Sequence, residues 1–479
     1  MDLDALLLSR IQFAWVIALH ILLPALTIGL ACWIATLEVL WWVKKKDVYR
    51  RLSAFWIKIF AVSFGMGVVS GIVMPFQFGT NWSRFIDLTG SVVGGLMAYE
   101  VITAFFLEAA FLGVLLFGRE KVPQWAHVLS AVMVALGTLL SSFWILAVNS
   151  WMQTPQGFEI VDGRFVPVDL VSVIFTPSFP YRLAHTVSAF VVTTGFVILA
   201  VGALFLRQRR HVDESKVMVR MALGFLAIMV PAQIVIGDLH GVNTLEHQPA
   251  KVAAMEGLWE SGTRVPMSIV AWPDRSIEGN RFEIAVLPGL ASLYLTHDVN
   301  GHVRGLKDFP PDERPPVAIV YWAFRVMVGI GVVMLTIVVW GLWRSWKRSV
   351  YEPSAFLRVA QWSLPLGFIA VLAGWTVTEV GRQPWVVYGH LRTAEAVTPS
   401  LTTQDVAISL AAYVLSYLVI FGGGLWLLIR MVRKGPAEAA TEERRDKVEA
   451  GPQRPKRPLS AISDSPSSAS ATPGAQGAA

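Results

Sequence analysis

A single cysteine in 479 residues, Cys32, excludes an internal disulfide, a Cys-x-x-Cys-His haem attachment and an iron–sulfur cluster. Charge is scarce too, at 15% Asp, Glu, Lys and Arg against 54% hydrophobic residues, far from the averages of a soluble domain. Histidine is sparse: of nine, only His20, His127 and His185 fall clearly inside long apolar stretches, with His240 at the end of one. A haem–copper centre needs more intramembrane histidines than that, including an adjacent pair on one helix. Bis-histidine haem bundles need pairs along shared helices. Any redox centre here is left with mixed His, Met or carboxylate ligation. The first apolar stretch has no basic n-region or A-x-A site and is too long for the h-region of a cleaved signal, so it reads as a retained helix. No internal repeat announces a transporter made of inverted halves.

What is present is membrane-spanning sequence. A hydrocarbon core of about 30 Å takes about 20 apolar residues per helix. Nine such stretches run approximately over Ile11–Val43, Leu52–Val73, Gly90–Phe117, Trp125–Val148, Tyr181–Leu206, Val217–Leu239, Val317–Trp343, Leu357–Val380 and Val406–Met431. The expected fold is an all-α membrane protein, a bundle of nine transmembrane helices over residues 1–434. Trp41 and Trp42, and Trp340, Trp343 and Trp346, stand where an aromatic belt belongs. The net charge of +6 does not indicate nucleic acid, because the basic residues cluster in short loops beginning near Lys44, Arg207, Arg344 and Arg430. By the positive-inside rule those loops are cytoplasmic, the N-terminus is periplasmic and the C-terminus cytoplasmic. The outer segment 241–316 is too long for a turn and reads as a folded functional loop. Residues 435–479, rich in Ala, Pro, Ser and Arg, read as a disordered cytoplasmic tail. The outer connection 149–180 shows no motif.

Ionisable residues inside a membrane normally bind or move something. In GWTVTEVGRQPW, Gly374 to Trp385, Glu379 and Arg382 lie at the end of a span at i and i+3, the spacing of an ion pair or of a ligand beside a counter-charge. His185 lies about one turn inside the outer end of the fifth span and Met327 about ten residues inside that of the seventh, both in the outer half. A His/Met pair makes a six-coordinate, low-spin haem iron, whereas a Met on an apolar helix is more often core than ligand. Arg325, on the outer side of Met327, could neutralise a haem propionate. His20 and Glu379 are each candidates for a single axial ligand that leaves one iron face open; the alternative for His20 is a histidine hydrogen-bonded between helices. Glu100 and Glu108 are about 12 Å apart along one helix and within about 80° of one face, which suits a proton ladder or two protonated acids bonded to neighbours. His127 and Ser141 or Ser142 extend such a route.

The dodecapeptide, together with these separated positions, resembles subunit I of the cytochrome bd family of quinol oxidases across essentially all nine spans. The resemblance implies that His185 and Met327 hold a low-spin b haem, and that His20 and Glu379 serve two high-spin haems, one b and a third that is d or b. It implies that Glu100 and Glu108 belong to the oxygen site and its proton path, with Trp375, Arg325 and Arg382 around the haems. In QPAKVAAMEG, Lys251 and Glu256 become the polar pair of a quinol site. The loop after Glu256 is short, which resembles the branch that includes oxidases called cyanide-insensitive. The implied partners are a haem-free subunit II, with or without a small single-span subunit, ubiquinol or menaquinol, O2 and a bacterial inner membrane. The implied reaction is quinol oxidation outside, electron transfer through the low-spin haem to a dihaem site, and reduction of O2 to water with cytoplasmic protons, electrogenic without a pump. Two rivals remain: a haem-free proton-coupled transporter using Glu100, Glu108 and Glu379, and a haem-binding relative that has lost oxygen reduction.

Overall fold

The computed structural model describes residues 4–436, so the tail expected over 435–479 lies almost wholly outside the described residues. Among the described residues eight helices are long and apolar enough to cross a membrane, and one bent pair makes a ninth. The chain is an all-α membrane protein, but three of the expected spans are not simple rods. The first consists of α1 (Ala5–Leu22) and α2 (Pro24–Lys44), interrupted where Pro24 has no N–H for the helical ladder. Asp4 caps α1 by accepting from the Leu7 N–H at 2.7 Å. After α3 (Asp47–Thr80), α4 (Ser83–Glu100) and α5 (Phe106–Phe117) are joined by a π-helical turn over Val101–Phe105.

The connection after α6 (Gln124–Gln153) holds a hairpin of β1 (Phe158–Val161) and β2 (Arg164–Pro167) and the short α7 (Leu170–Ile174). Next come α8 (Phe179–Arg207) and α9 (Val212–His247). The most apolar stretch of α8 is 83% buried, placing this helix at the centre of the bundle. Thr194 reaches from it to donate to the Leu26 carbonyl at 3.0 Å, a polar tie of the kind that serves where lipid weakens hydrophobic association.

At 36 residues α9 is about 54 Å long, so it projects beyond the hydrocarbon core and carries the chain into the long loop. That loop is folded. It contains α10 (Pro249–Glu256), β3 (Gly262–Thr263), β4 (Met267–Asp274), β5 (Gly279–Leu287), α11 (Leu290–Thr296) and β6 (His302–Val303). β4 pairs with β5 and β3 with β6, both antiparallel. Val252, Trp259, Leu295 and Leu306 form its core, packed on Val317, Val320 and Val377 of the bundle. The chain re-enters through α12 (Val317–Trp346), then α13 (Ala355–Trp362) and α14 (Leu366–Val380), which are bent by 41°. A hairpin of β7 (Trp385–Val387) and β8 (Leu391–Arg392), then α15 (Thr393–Ala396), lead to α16 (Thr403–Lys434), started by a reciprocal Thr402–Asp405 cap.

The end of the bundle away from the folded loop is pinned by Glu38, which is fully buried. Its carboxylate accepts from Arg119 Nη2 at 2.5 Å and from Ser53, and lies 3.1 Å from His127 Nδ1. Helices α2, α3 and α6 and the turn before α6 therefore meet at one anion. Removing one partner of a buried ion pair leaves the other unpaired, at a cost of about 3 kcal/mol or more. Glu38→Ala should accordingly lower the thermal unfolding midpoint in detergent clearly; an unchanged midpoint would contradict the pin.

Candidate functional site

Helices α1 to α6, α8, α9, α12 and α14 line a cavity of about 1440 Å³, above the range of about 300–1,000 Å³ usual for one small ligand. Its walls include His20, Glu100, Glu108, His185, Lys251, Arg325, Met327, Trp375, Glu379 and Arg382, all singled out from sequence. Glu256 stands behind Arg325, and His127 lies elsewhere.

His20 Nδ1 is 2.9 Å from Ser70 Oγ, whose own hydrogen is directed to the Met66 or Gly67 carbonyl at 3.0 or 3.1 Å. With Nδ1–H donating to that oxygen, Nε2 keeps a lone pair, the tautomer that can ligate a metal. His185, on α8, is flanked by Gln233 of α9, whose amide bonds both the ring Nδ1 at 3.3 Å and the His185 carbonyl at 3.1 Å. The His240 ring lies 5.4 Å from that of His185. Met327 explains the first residue of the dodecapeptide: a Cβ added to Gly374 would lie 2.9 Å from the Met327 sulfur, so a side chain there would displace the thioether.

Glu379 is the most heavily hydrogen-bonded carboxylate of the site. One oxygen accepts from Asn149 Nδ2 at 3.0 Å and Gln153 Nε2 at 3.3 Å, and the other from Arg382 Nη2 at 2.5 Å. Arg182 bonds Asn149, and Lys251 Nζ donates to Gln153 Oε1 at 2.7 Å and Gln248 Oε1 at 2.5 Å. Three cations thus surround one anion. Burial first, with Arg182 and Arg382 beside it and Glu379 opposing, pulls the Lys251 ammonium well below its ordinary range. Arg182 Nε, Arg382 Nε and Nη1, and Arg325 Nε and Nη1 are buried without a partner. Such donors fit the carboxylates of a bound prosthetic group, because buried charges are stable only when paired.

Lys251 and Glu256, the two polar residues expected at a quinol site, point to different neighbours. They are five residues apart on α10, about 140° around the helix, so Lys251 faces Gln153 while Glu256 faces Arg325 at 2.8 Å. Both are buried, not solvated. Arg325 binds Glu256 through Nη2, and its Nε and Nη1 stay open. His127 does not extend the Glu108 route; it bonds Glu38 and, through Nε2, the Leu115 carbonyl at 3.2 Å.

The acids of α4 and α5 are closer in orientation than a regular helix makes them. The wider π turn between them takes up about one extra residue, which rotates α5 back by about 100° and leaves Glu100 and Glu108 within about 20° of one face. Ser141 donates to Glu100 at 2.8 Å, whereas Ser142 bonds the Thr138 carbonyl. Glu108 packs on α6 at Gly137, where an added Cβ would come within 2.5 Å of its Cγ.

Asn149, Gln153, Gln233, Ser70 and Arg182 were not anticipated. Arg182 had a signal, being a charge at the start of a predicted span three residues before His185. The uncharged amides had none.

The sequence profile of the family described as cytochrome bd terminal oxidase subunit I matches residues 8–436. The cytochrome bd ubiquinol oxidase subunit 1 of Bacillus subtilis (strain 168) is 35% identical over 444 residues, covering 90% of this chain and 94% of that protein. The cytochrome bd-II ubiquinol oxidase subunit 1 of Escherichia coli (strain K12) is 32% identical over 510 residues, covering 92% and 98%. A solved chain of the bd oxidase from Geobacillus thermodenitrificans superposes with a TM-score of 0.84 at 30% identity, over 91% of this chain and 100% of that one. With its matched length, its helical bundle and its His-, Met- and carboxylate-lined cavity, the chain belongs to the cytochrome bd terminal oxidase subunit I family.

Proposed function

We propose that this chain is the catalytic subunit of a quinol:oxygen oxidoreductase that oxidises quinol at the folded-loop end and reduces O2 to water at a dihaem site. The observation that carries this reading is the convergence of His20, His185, Met327 and Glu379 on one cavity whose arginines keep unpaired N–H groups. The haems, one low-spin b, one high-spin b and a third that is d or b, would supply electron transfer and oxygen binding there. His185 and Met327 would hold the low-spin haem, His20 and Glu379 the high-spin ones, with Trp375 beside them. Arg325 and Arg382 would neutralise their carboxylates.

Lys251 and Glu256 would serve the quinol, ubiquinol or menaquinol, through Gln153 and Arg325 respectively. Glu100 Oε1, held by Ser141, and the Glu108 carboxyl would pass protons along one helix face. The basic helix ends at Lys44, Arg207 and Arg344 lie opposite the folded loop, which favours a cytoplasmic face there and a periplasmic loop and N-terminus. Protons released at the loop and taken up from the other side would separate charge without pumping. The apolar faces of α12 and α16, with Val332, Val339, Leu418 and Val419 exposed, have room for lipid and for a haem-free subunit II.

Met327→Leu should abolish the low-spin b spectrum, leaving a high-spin or lost species; an unchanged spectrum would refute that ligand. Glu108→Gln should slow oxygen reduction by about a hundredfold while leaving the quinol KM unchanged, because it removes a proton carrier and not a substrate contact. Purified complex in proteoliposomes, given quinol, should consume O2 and acidify the loop side; quinol-independent behaviour would reject the proposal.

A further inference from the structure

A second group of unpartnered atoms lies at the loop end of the cavity. The Trp322 indole N–H and Arg325 Nε and Nη1 are buried with no hydrogen-bond partner, and the buried Tyr294 hydroxyl and Glu256 Oε1 have none beyond each other. Leaving a buried polar group unpaired is unfavourable, so a cluster of them marks where a polar ligand or water binds. Glu256 stands behind Arg325, whose Nη2 bonds its Oε2 at 2.8 Å. The Tyr294 phenol stands beside Glu256 and Arg325. Tyr294, Arg325 and Trp322 border the cavity with Met255, Met267 and Ile269, so these three polar residues meet a space with apolar walls.

The position of Tyr294 is fixed by its own helix. Ser292 Oγ accepts from the Val265 N–H at 2.9 Å and donates to the Gly301 carbonyl at 2.8 Å, tying α11 across the loop. Ala291 and Leu295 on either side are buried in the loop core. Burial, then the charge of Glu256, pushes the phenol well above its ordinary range, so it remains a hydrogen-bond donor throughout neutral pH.

We propose that Tyr294 is a quinol-contacting residue, its hydroxyl donating to a ring oxygen held in the cavity, so that the headgroup is oriented against the loop helix α11 with Glu256 behind it. This rests on the quinol reading above and adds no redox or covalent step to it. A hydroquinone matches the site because it presents hydroxyl oxygens on a flat apolar ring. Water alone would satisfy the polar atoms but not the apolar walls.

The test is Tyr294→Phe in the assembled holo-complex, which keeps the ring and removes one hydroxyl. Oxygen consumption is measured with a short-chain quinol and with tetramethyl-p-phenylenediamine, a diffusible one-electron donor that needs no quinol pocket. The quinol KM should rise roughly five- to tenfold, the loss expected for one hydrogen bond, with kcat within about twofold. The rate with the one-electron donor and the visible redox spectrum should match wild type. An unchanged quinol KM overturns the proposal, as does a parallel fall in both rates with an altered spectrum, which would make Tyr294 structural. If the wild type accepts electrons from the small donor but shows no saturable quinol oxidation, the quinol reading itself fails.

Discussion

The interaction on which the site depends is the single carboxylate of Glu379 among Arg182, Lys251 and Arg382. It draws together α14, the folded-loop end of α6, the start of α8 and the loop helix α10, none of them neighbours in sequence. Three cations around one buried anion are not electrically balanced, and the open N–H groups of Arg182 and Arg382 express that imbalance. A protein interior of this kind is completed by anionic groups from a ligand, which is the requirement that haem carboxylates would meet. The two ends of the bundle use buried charge in opposite ways. Glu38 is closed off by Arg119, His127 and Ser53, and serves cohesion; Glu379 sits in a cavity with donors to spare.

Much of the fold was legible because lipid imposes a simple rule on sequence: long apolar runs become helices, and only these can cross. The exceptions are instructive. Pro24 could have been read as the break in the first span, since proline removes a ladder donor. The π turn over Val101–Phe105 contains neither Gly nor Pro, and its residues are ordinary helix or strand formers. Nothing local announces it, although it decides how Glu100 and Glu108 face each other.

The site was legible where chemistry left few choices. His185 and His20 stood out because the spans carry few histidines, whereas Met327, one of 14 methionines, was singled out by its depth beside His185 and by the resemblance to a known family. Asn149, Gln153 and Gln233 were invisible because an amide in a helix costs little in hydropathy and announces no partner. That Lys251 and Glu256 face different partners was not legible, because proximity in sequence is not proximity on a helix surface. His127 was misplaced for the related reason that its partner, Glu38, comes from a helix far away in the chain.

The central claim is that this cavity holds haem on His20, His185, Met327 and Glu379. The measurement that tests it most directly is a dithionite-reduced minus oxidised visible spectrum of the purified complex, with haem extracted from the same sample. Low-spin b bands are predicted, accompanied by a far-red chlorin band if the third haem is d, or by b haem alone if it is b. A correctly assembled protein, produced with ample haem and containing none, would contradict the account.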